Sequence, residues 1–323
     1  MKVHFAFLVV VASGILVLSG CRAIAIGSAP AKTAQPSISE QATRARNAFW
    51  SALWNASYEE LPGVIDQLTA AYLENPRDPE IALLSAHAHF WRIAEFRRDS
   101  NAGPSITDHF IVAEKFFEEA KRLRPGDVRI LGWLGGIKLT LGKLHGDERL
   151  KREGYFMLQE GVESFPEFNY FSLSYAMSAL PPNDPRWGEV VEATWKTLDA
   201  CTGSTFDRRN PDYSRFMAIE SSYDRAGPKR VCWNSEIAPH NLEGFFMHMG
   251  DVLVKQGSSD AARRAYNNAK LSGTYESWKF KSMLEERIAT VEGRAHAFRE
   301  SDQKTWPPMM VQTTAACTGC HAR

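Results

Sequence analysis

The chain has 323 residues and a balanced charge, with 38 lysine and arginine residues against 38 aspartate and glutamate residues. This balance excludes the strongly basic composition of a nucleic-acid-binding domain, so we expect no nucleic-acid partner. The content of 44% hydrophobic and 24% charged residues is typical of a soluble globular protein.

The N-terminal residues carry the pattern of an export signal. Residues 5–18 form the longest apolar run, follow a lysine, and are too few to span a bilayer. Residues 18–21 read LSGC and resemble a bacterial lipobox, in which the cysteine becomes the first residue of the mature protein and is acylated. The alternative is an ordinary cleaved signal followed by an incidental cysteine. We therefore expect a signal peptide over residues 1–20 and lipidation at Cys21.

The lipobox resemblance also implies a location. It places the protein in the cell envelope of a Gram-negative bacterium, anchored to a membrane by its acyl chains and facing the periplasm. Arg22, at the second mature position, favours the outer membrane over the inner membrane. Residues 21–41 are rich in alanine, serine and proline without helical periodicity, and they predict a flexible tether.

The body of the chain, residues 42–300, has the hydrophobic period of helices. Its clearest unit places large and small residues at the spacings of a tetratricopeptide repeat, at Phe246, Met249, Gly250, Leu253, Gly257, Ala262, Tyr266 and Ala269. The unit resembles that family at every diagnostic position except the closing proline, and fainter copies end at Pro76, Pro125 and Pro166. The resemblance implies an all-α fold, an α-α superhelical repeat array (a TPR-like solenoid) whose small residues let paired helices approach closely.

Two parts of the body are expected to depart from the repeat. Residues 201–240 hold three prolines and many charges, and they predict an irregular insertion before the last clear repeat. Residues 275–299 predict one further helix that caps the array. The aromatic residues of the predicted helices are expected to form the core rather than a cofactor pocket, and these are Phe90, Trp91, Phe96, Phe116, Phe117, Trp133, Tyr155, Phe156, Phe168, Tyr170 and Phe171.

Residues 317–321 read CTGCH, which is the attachment pattern of c-type haem. Each thiol can add its S–H across a haem vinyl group, and the adjacent imidazole can then ligate the iron. Half of a zinc site and a redox dithiol are the alternatives. We expect Cys317 and Cys320 to hold one covalent haem c and His321 to be the proximal iron ligand. The irregular segment 301–323 is expected to fold back on the helices, because so short a segment cannot shield a haem by itself.

The remaining cysteines and histidines leave several assignments open. Cys201 and Cys232 are expected to pair in an oxidising compartment, and a metal site that also uses His240 is the rival. The sixth iron ligand is expected among Met309, Met310, Met247, His240 and His248, with an open sixth position as the alternative. The other histidines are assigned to the surface or the core, and these are His87, His89, His109, His145 and His296.

No motif of a hydrolase, a metalloprotease, a phosphate-binding loop or a dinucleotide-binding fold occurs in the chain. We therefore expect a membrane-anchored electron-transfer or haem-presenting protein rather than an enzyme. Its partner, such as a periplasmic redox complex, would dock on the concave surface of the repeats. The alternatives are an interaction scaffold with a structural haem or none, and a peroxidase-like enzyme with an open iron site.

Overall fold

The computed structural model describes residues 21–99, 105–218 and 240–323. Within these ranges the chain is helical and no strand is present, which confirms the predicted all-α class. The chain divides into two compact units, Met1–Ala34 and Gln35–Arg323. In the first unit residues 21–27 are helical and Cys21 is exposed, while the predicted signal peptide lies outside the described residues.

The second unit is built from helices that pack in consecutive pairs along the chain. In the described residues the paired helices are α1 (Glu40–Trp54) with α2 (Leu61–Glu74), α3 (Pro79–Ala94) with α4 (Ser105–Leu123), α5 (Arg129–His145) with α6 (Glu148–Ser164), α7 (Pro166–Met177) with α8 (Trp187–Thr202), and α9 (Leu242–Gln256) with α10 (Ser259–Asn268). Each pair also contacts the next one. This is the helical repeat array that the sequence predicts.

Local sequence explains where many of these helices begin and end. The side chains that cap helix N-termini by accepting backbone N–H bonds are Ser39, Asp78, Asp147 and Asn241. Helices α5, α8 and α9 end at glycines with left-handed backbone, at Gly146, Gly203 and Gly257. A glycine adopts this conformation without a steric cost, so it terminates the helix cleanly.

The pair α9–α10 shows the close approach that the repeat resemblance implies. A Cβ atom at Gly250 would lie 2.2 Å from the ring of Tyr266, so only glycine fits at this crossing. Ala262 and Ala269 are fully buried between the same helices. The small residues therefore act as expected, by letting the two helix axes come together.

The body begins earlier than the predicted boundary at residue 42. The N–H of Gln35 donates to the carbonyl of Arg77 over 2.8 Å, and the N–H of Ser37 donates to the Asp78 carboxylate over 2.7 Å. Asp78 is fully buried and also pairs with Arg46. Because this one carboxylate satisfies several donors at the start of α3, it fixes residues 35–39 of the predicted tether to the body.

The capping segment is also divided differently from the single helix predicted for residues 275–299. It consists of a 3-10 turn at Tyr275–Ser277, helix α11 (Lys281–Ala289) and helix α12 (Val291–Ala297). The break falls at Thr290, whose hydroxyl donates to the carbonyl of Glu286 over 2.8 Å. A hydroxyl that bonds the backbone in this way competes with the regular helical pattern.

The C-terminal tail, residues 301–323, folds back on the array as expected. It contains short 3-10 turns and ends in a single helical turn, α13 (Thr318–His321), which contacts both α9 and α1. Residues 219–239 of the predicted insertion lie outside the described residues. No helix among the residues described here has the length and hydrophobicity to cross a membrane.

Candidate cofactor site

Helix α3 holds the start of the motif at residues 317–321 through a buried charge. Glu95, directly after α3, is fully buried, and its Oε1 accepts the N–H groups of Cys317 and Thr318 over 2.8 Å each. The same oxygen accepts the Thr318 hydroxyl over 2.9 Å. Its other oxygen pairs with Arg98 over 2.8 Å, and Arg98 also donates to the carbonyl of Thr314. The carboxylate therefore satisfies the N–H groups that a helical turn leaves free at its start.

Helix α9 holds the other end of the motif with neutral groups. The Asn241 N–H donates to the carbonyl of Cys320 over 2.6 Å, and its side-chain amide donates to the carbonyl of Ala322 over 2.9 Å. The Asn241 side-chain oxygen meanwhile caps α9. A Cβ atom at Gly244 would lie 2.5 Å from the Cα of Cys320, so the tail backbone rests directly on α9.

A cavity of about 230 Å³ lies between the motif and the N-terminal helices. Most of its lining is apolar and aromatic, and the lining residues that the argument uses are Trp50, His87, Trp91, Trp133, Cys317 and His321. His240 lies at the same cavity, as do two arginines, Arg124 and Arg129. The motif therefore faces an aromatic space that the helical array supplies, which is the arrangement a flat apolar cofactor requires.

Three histidines meet at this cavity. The ring centres of His321 and His240 are 4.7 Å apart, and His240 also packs against Phe171 at 4.8 Å. His87 lies on α3, where its ring contacts Trp133 edge-on at 5.3 Å. Burial and the positive charge of His321 lower the pKa of His87 to about 3, and burial lowers the pKa of His240 well below its usual range. Both imidazoles are therefore neutral at neutral pH.

The two motif cysteines are free thiols in different surroundings. Cys317 lines the cavity, whereas Cys320 is buried with its Sγ 4.0 Å from the Sδ of Met310. Burial, and then the Glu95 carboxylate, raise the pKa of Cys317 well above its usual range. Burial, and then the Glu243 carboxylate, raise the pKa of Cys320. Both thiols are therefore protonated at neutral pH.

The sulfur candidates for the sixth iron ligand lie beneath the motif. Met309 and Met310 are buried, and the N–H of Met310 donates to the Asp251 carboxylate over 2.7 Å. Met247, which its position in the repeat predicts to face the concave groove, is fully buried, with its methyl group near Gly319 of the tail. His248 is buried and its Nε2 lies 3.2 Å from the Ser174 hydroxyl. Of the five candidates, all in the described part of the chain, His240 is the one that lines the cavity.

Two arginines and one carboxylate lie in the lining of the cavity. Arg129 makes two hydrogen bonds to Asp127, at 2.7 and 2.6 Å. Arg124 is 3.9 Å from the same Asp127 carboxylate and its side chain is partly exposed. The lining carboxylate, Glu80, pairs with Arg46 over 2.8 Å. Arg124 and Arg129 are therefore the lining groups that could donate to an anionic ligand.

Sequence reasoning missed His87 and misjudged several aromatic residues. Of the aromatic residues expected in the core, Trp91 and Phe168 are buried and also line the cavity, whereas Phe96 and Phe156 are exposed. The remaining histidines fit a surface or core assignment, since His145 and His296 are exposed and His89 and His109 contact each other. The signal available beforehand was the spacing of His87, Trp91 and Glu95, which puts all three on one helical face.

Cys201 is disulfide-bonded, whereas its predicted partner Cys232 lies outside the described residues, so this pairing stays a prediction. No cluster of three or more histidine, cysteine or acidic side chains arranged to hold a metal ion occurs in the described ranges.

Comparison with protein-family models, with curated proteins and with solved structures gives no match for this chain.

Proposed function

We propose that the protein is a c-type haem protein that transfers single electrons, with its haem held between the C-terminal tail and the helical array. One observation carries the proposal. The first cysteine and the histidine of the motif line a single aromatic cavity, and the motif backbone is held at both ends by Glu95 and Asn241. An attachment motif that formed by chance in a loose tail would have neither the cavity nor the two anchors.

The residues at the site fit this cofactor in their chemistry. Cys317 and Cys320 would hold the haem by thioether bonds, and His321 would be the proximal ligand. Arg124 and Arg129 border the cavity and would neutralise the propionate groups. Pockets that enclose drug-sized ligands have volumes of about 300–1,000 Å³, so a cavity of about 230 Å³ would leave part of the macrocycle outside.

A haem that lies partly outside the cavity, on a chain anchored to a membrane, would favour electron transfer over the alternatives. Haem supplies a one-electron iron couple when bound, and the protein tunes it through the axial ligands and burial. The lipobox-like residues that end at Cys21 support anchoring of the protein to a membrane, facing the periplasm. Arg22 favours the outer membrane over the inner membrane. The tail covers Met247, so this part of the concave surface is not free for a partner. A redox partner would therefore dock on the array near the cavity.

The test is expression of the full chain in a host with haem-attachment machinery, followed by denaturing electrophoresis and mass spectrometry. Wild-type protein should keep its haem through denaturation and gain the mass of one haem. The variant Cys317→Ala/Cys320→Ala should lose all covalent haem, because both thioether bonds are removed. Ser258→Ala leaves both motif cysteines and His321 in place, so it serves as the control and should keep the wild-type haem content.

Two results would contradict the proposal. One is wild-type protein without covalent haem, which would favour the function of an interaction scaffold. The other is covalent haem that persists in the double cysteine variant. Rapid reaction of the reduced haem with carbon monoxide, or of the oxidised haem with peroxide, would instead support the peroxidase-like enzyme.

A further inference from the structure

One face of α3 follows the cavity and then reaches the motif. Leu83, Leu84, His87 and Trp91 line the cavity, and Glu95 follows one turn later and binds the motif backbone. A helix rises about 1.5 Å per residue, so His87 lies about 12 Å along the α3 axis from Glu95. This one element therefore fixes both the position of the motif and the position of His87 relative to it.

The environment of His87 leaves its imidazole available to the cavity. The ring packs edge-on against Phe117 at 5.1 Å and against Trp133 at 5.3 Å, which fixes its orientation. Among the described residues no hydrogen-bond partner reaches either ring nitrogen. The aromatic rings hold the His87 imidazole in one orientation, and the imidazole faces the cavity. It can therefore bind a ligand there without reorienting.

His240, the other imidazole at the cavity, is placed differently. Its ring centre is 4.7 Å from that of His321, so the two rings are already in van der Waals contact. A macrocycle cannot lie between two rings that touch each other. His240 is therefore placed to hold His321 in position from the side, together with Phe171, rather than to bind the other face of an iron that His321 ligates.

We propose that His87 is the sixth ligand of the iron, on the face opposite His321. This inference rests on the proposed function, because it requires a haem at the cavity. It assigns two imidazoles to the iron, one from the tail and one from α3. An iron with two imidazole ligands is six-coordinate and has a lower potential than one with a histidine and a methionine.

The test is spectroscopic and uses the full-length haem-loaded protein. Wild type should show a six-coordinate low-spin iron that does not bind carbon monoxide readily in the reduced state. His87→Gly should convert the oxidised iron to high spin and open the reduced iron to carbon monoxide. Added imidazole should restore the low-spin spectrum, because it occupies the space of the missing ring. His87→Met should stay low-spin but have a higher reduction potential.

Controls separate ligation from folding. His145→Ala changes an exposed histidine and should leave the spectrum and potential as in wild type. His240→Ala tests the rival ligand: loss of the low-spin spectrum in this variant, with its retention in His87→Gly, would assign the sixth position to His240 and overturn the proposal. Circular dichroism on every variant, together with the imidazole rescue, shows that a changed spectrum does not come from a misfolded chain.

The outcomes also distinguish this inference from the proposed function. A low-spin spectrum that persists in His87→Gly would overturn the assignment of His87 while leaving the haem in place. A wild-type iron that is already high-spin would overturn it too, and would favour the open iron site of an enzyme. Wild-type protein without any covalent haem would remove the proposed function and this inference together.

Discussion

The motif lies between two walls, one formed by α3 with Glu95 and the other formed by α9, and the two walls make different types of contact with it. On the α3 side, a fully buried carboxylate, Glu95, binds the start of the motif, and the imidazole of His87 faces the cavity. On the α9 side, the neutral amide of Asn241 binds the end of the motif, Gly244 lets the backbones touch, and His240 already contacts His321.

This difference indicates a division of roles between the walls. Burying a charged group costs free energy unless several hydrogen-bond donors surround it. The donors of the motif surround Glu95, so this carboxylate holds the motif strongly and in one orientation. Close neutral packing on α9 instead resists movement by steric fit. The α3 wall thus determines where the motif sits relative to the cavity, and the α9 wall supports it from behind.

The largest effect should follow from removing the buried charge. In Glu95→Ala we expect a loss of about 3 kcal/mol in the free energy of unfolding, because Arg98 and three donors of the tail lose their partner. Urea unfolding of the purified protein measures this loss. We also expect faster proteolysis of the tail.

The matched control for the buried charge is Glu80→Ala on the same helix. Glu80 is half-exposed and pairs with Arg46, so its removal should cost no more than about 1 kcal/mol. Equal losses in the two variants would show that Glu95 has no special part in holding the motif.

An intermediate effect should follow from adding one methyl group on the α9 wall. The new Cβ in Gly244→Ala would lie 2.6 Å from the carbonyl oxygen of Gly319, and that oxygen is backbone and cannot rotate away. We expect a loss of about 1–3 kcal/mol and a lower yield of covalent haem, because the motif is pushed off α9. Thermal unfolding and the ratio of haem to protein measure the two effects.

Gly63→Ala is the control for this methyl group. Gly63 is in helix α2 and has open space around its Cα, so an added Cβ meets nothing within 4 Å. The substitution should stabilise the helix by up to about 1 kcal/mol. An unchanged stability and haem content in Gly244→Ala would refute the close contact of the tail with α9.

The smallest effect on the tail itself, about 1 kcal/mol, should come from the neutral anchor. Asn241→Ala removes the cap of α9, which is worth about 1 kcal/mol, and one bond to the Ala322 carbonyl, worth about the same. Asp147→Ala removes a comparable cap from α6, where the Asp147 carboxylate accepts the N–H of Leu150. The difference between the two losses in chemical unfolding should therefore be about 1 kcal/mol, and no difference would mean that the tail bond contributes nothing.

Local patterns in the sequence were enough for much of the fold. The hydrophobic period, the closing prolines and the spacing around Gly250 predicted a helical array with close helix pairs, because each of these signals acts within one helix or between neighbours. The same reasoning failed at Thr290, where the predicted capping helix is broken, and at Ser37, where the distant Asp78 carboxylate holds part of the predicted tether.

The candidate site, too, was predictable from the sequence only where its residues are neighbours in the chain. The five residues from 317 to 321 were enough to predict the chemistry of the candidate site, because two thiols and an imidazole lie within one short segment at the spacing of c-type haem attachment. Only the tertiary structure decided which surfaces meet them, since Glu95 binds Thr318 across 223 positions of sequence. His87 and the aromatic residues around it carry no spacing signal toward the tail. Their place at the cavity depends on how the array brings α3 to the C-terminal segment.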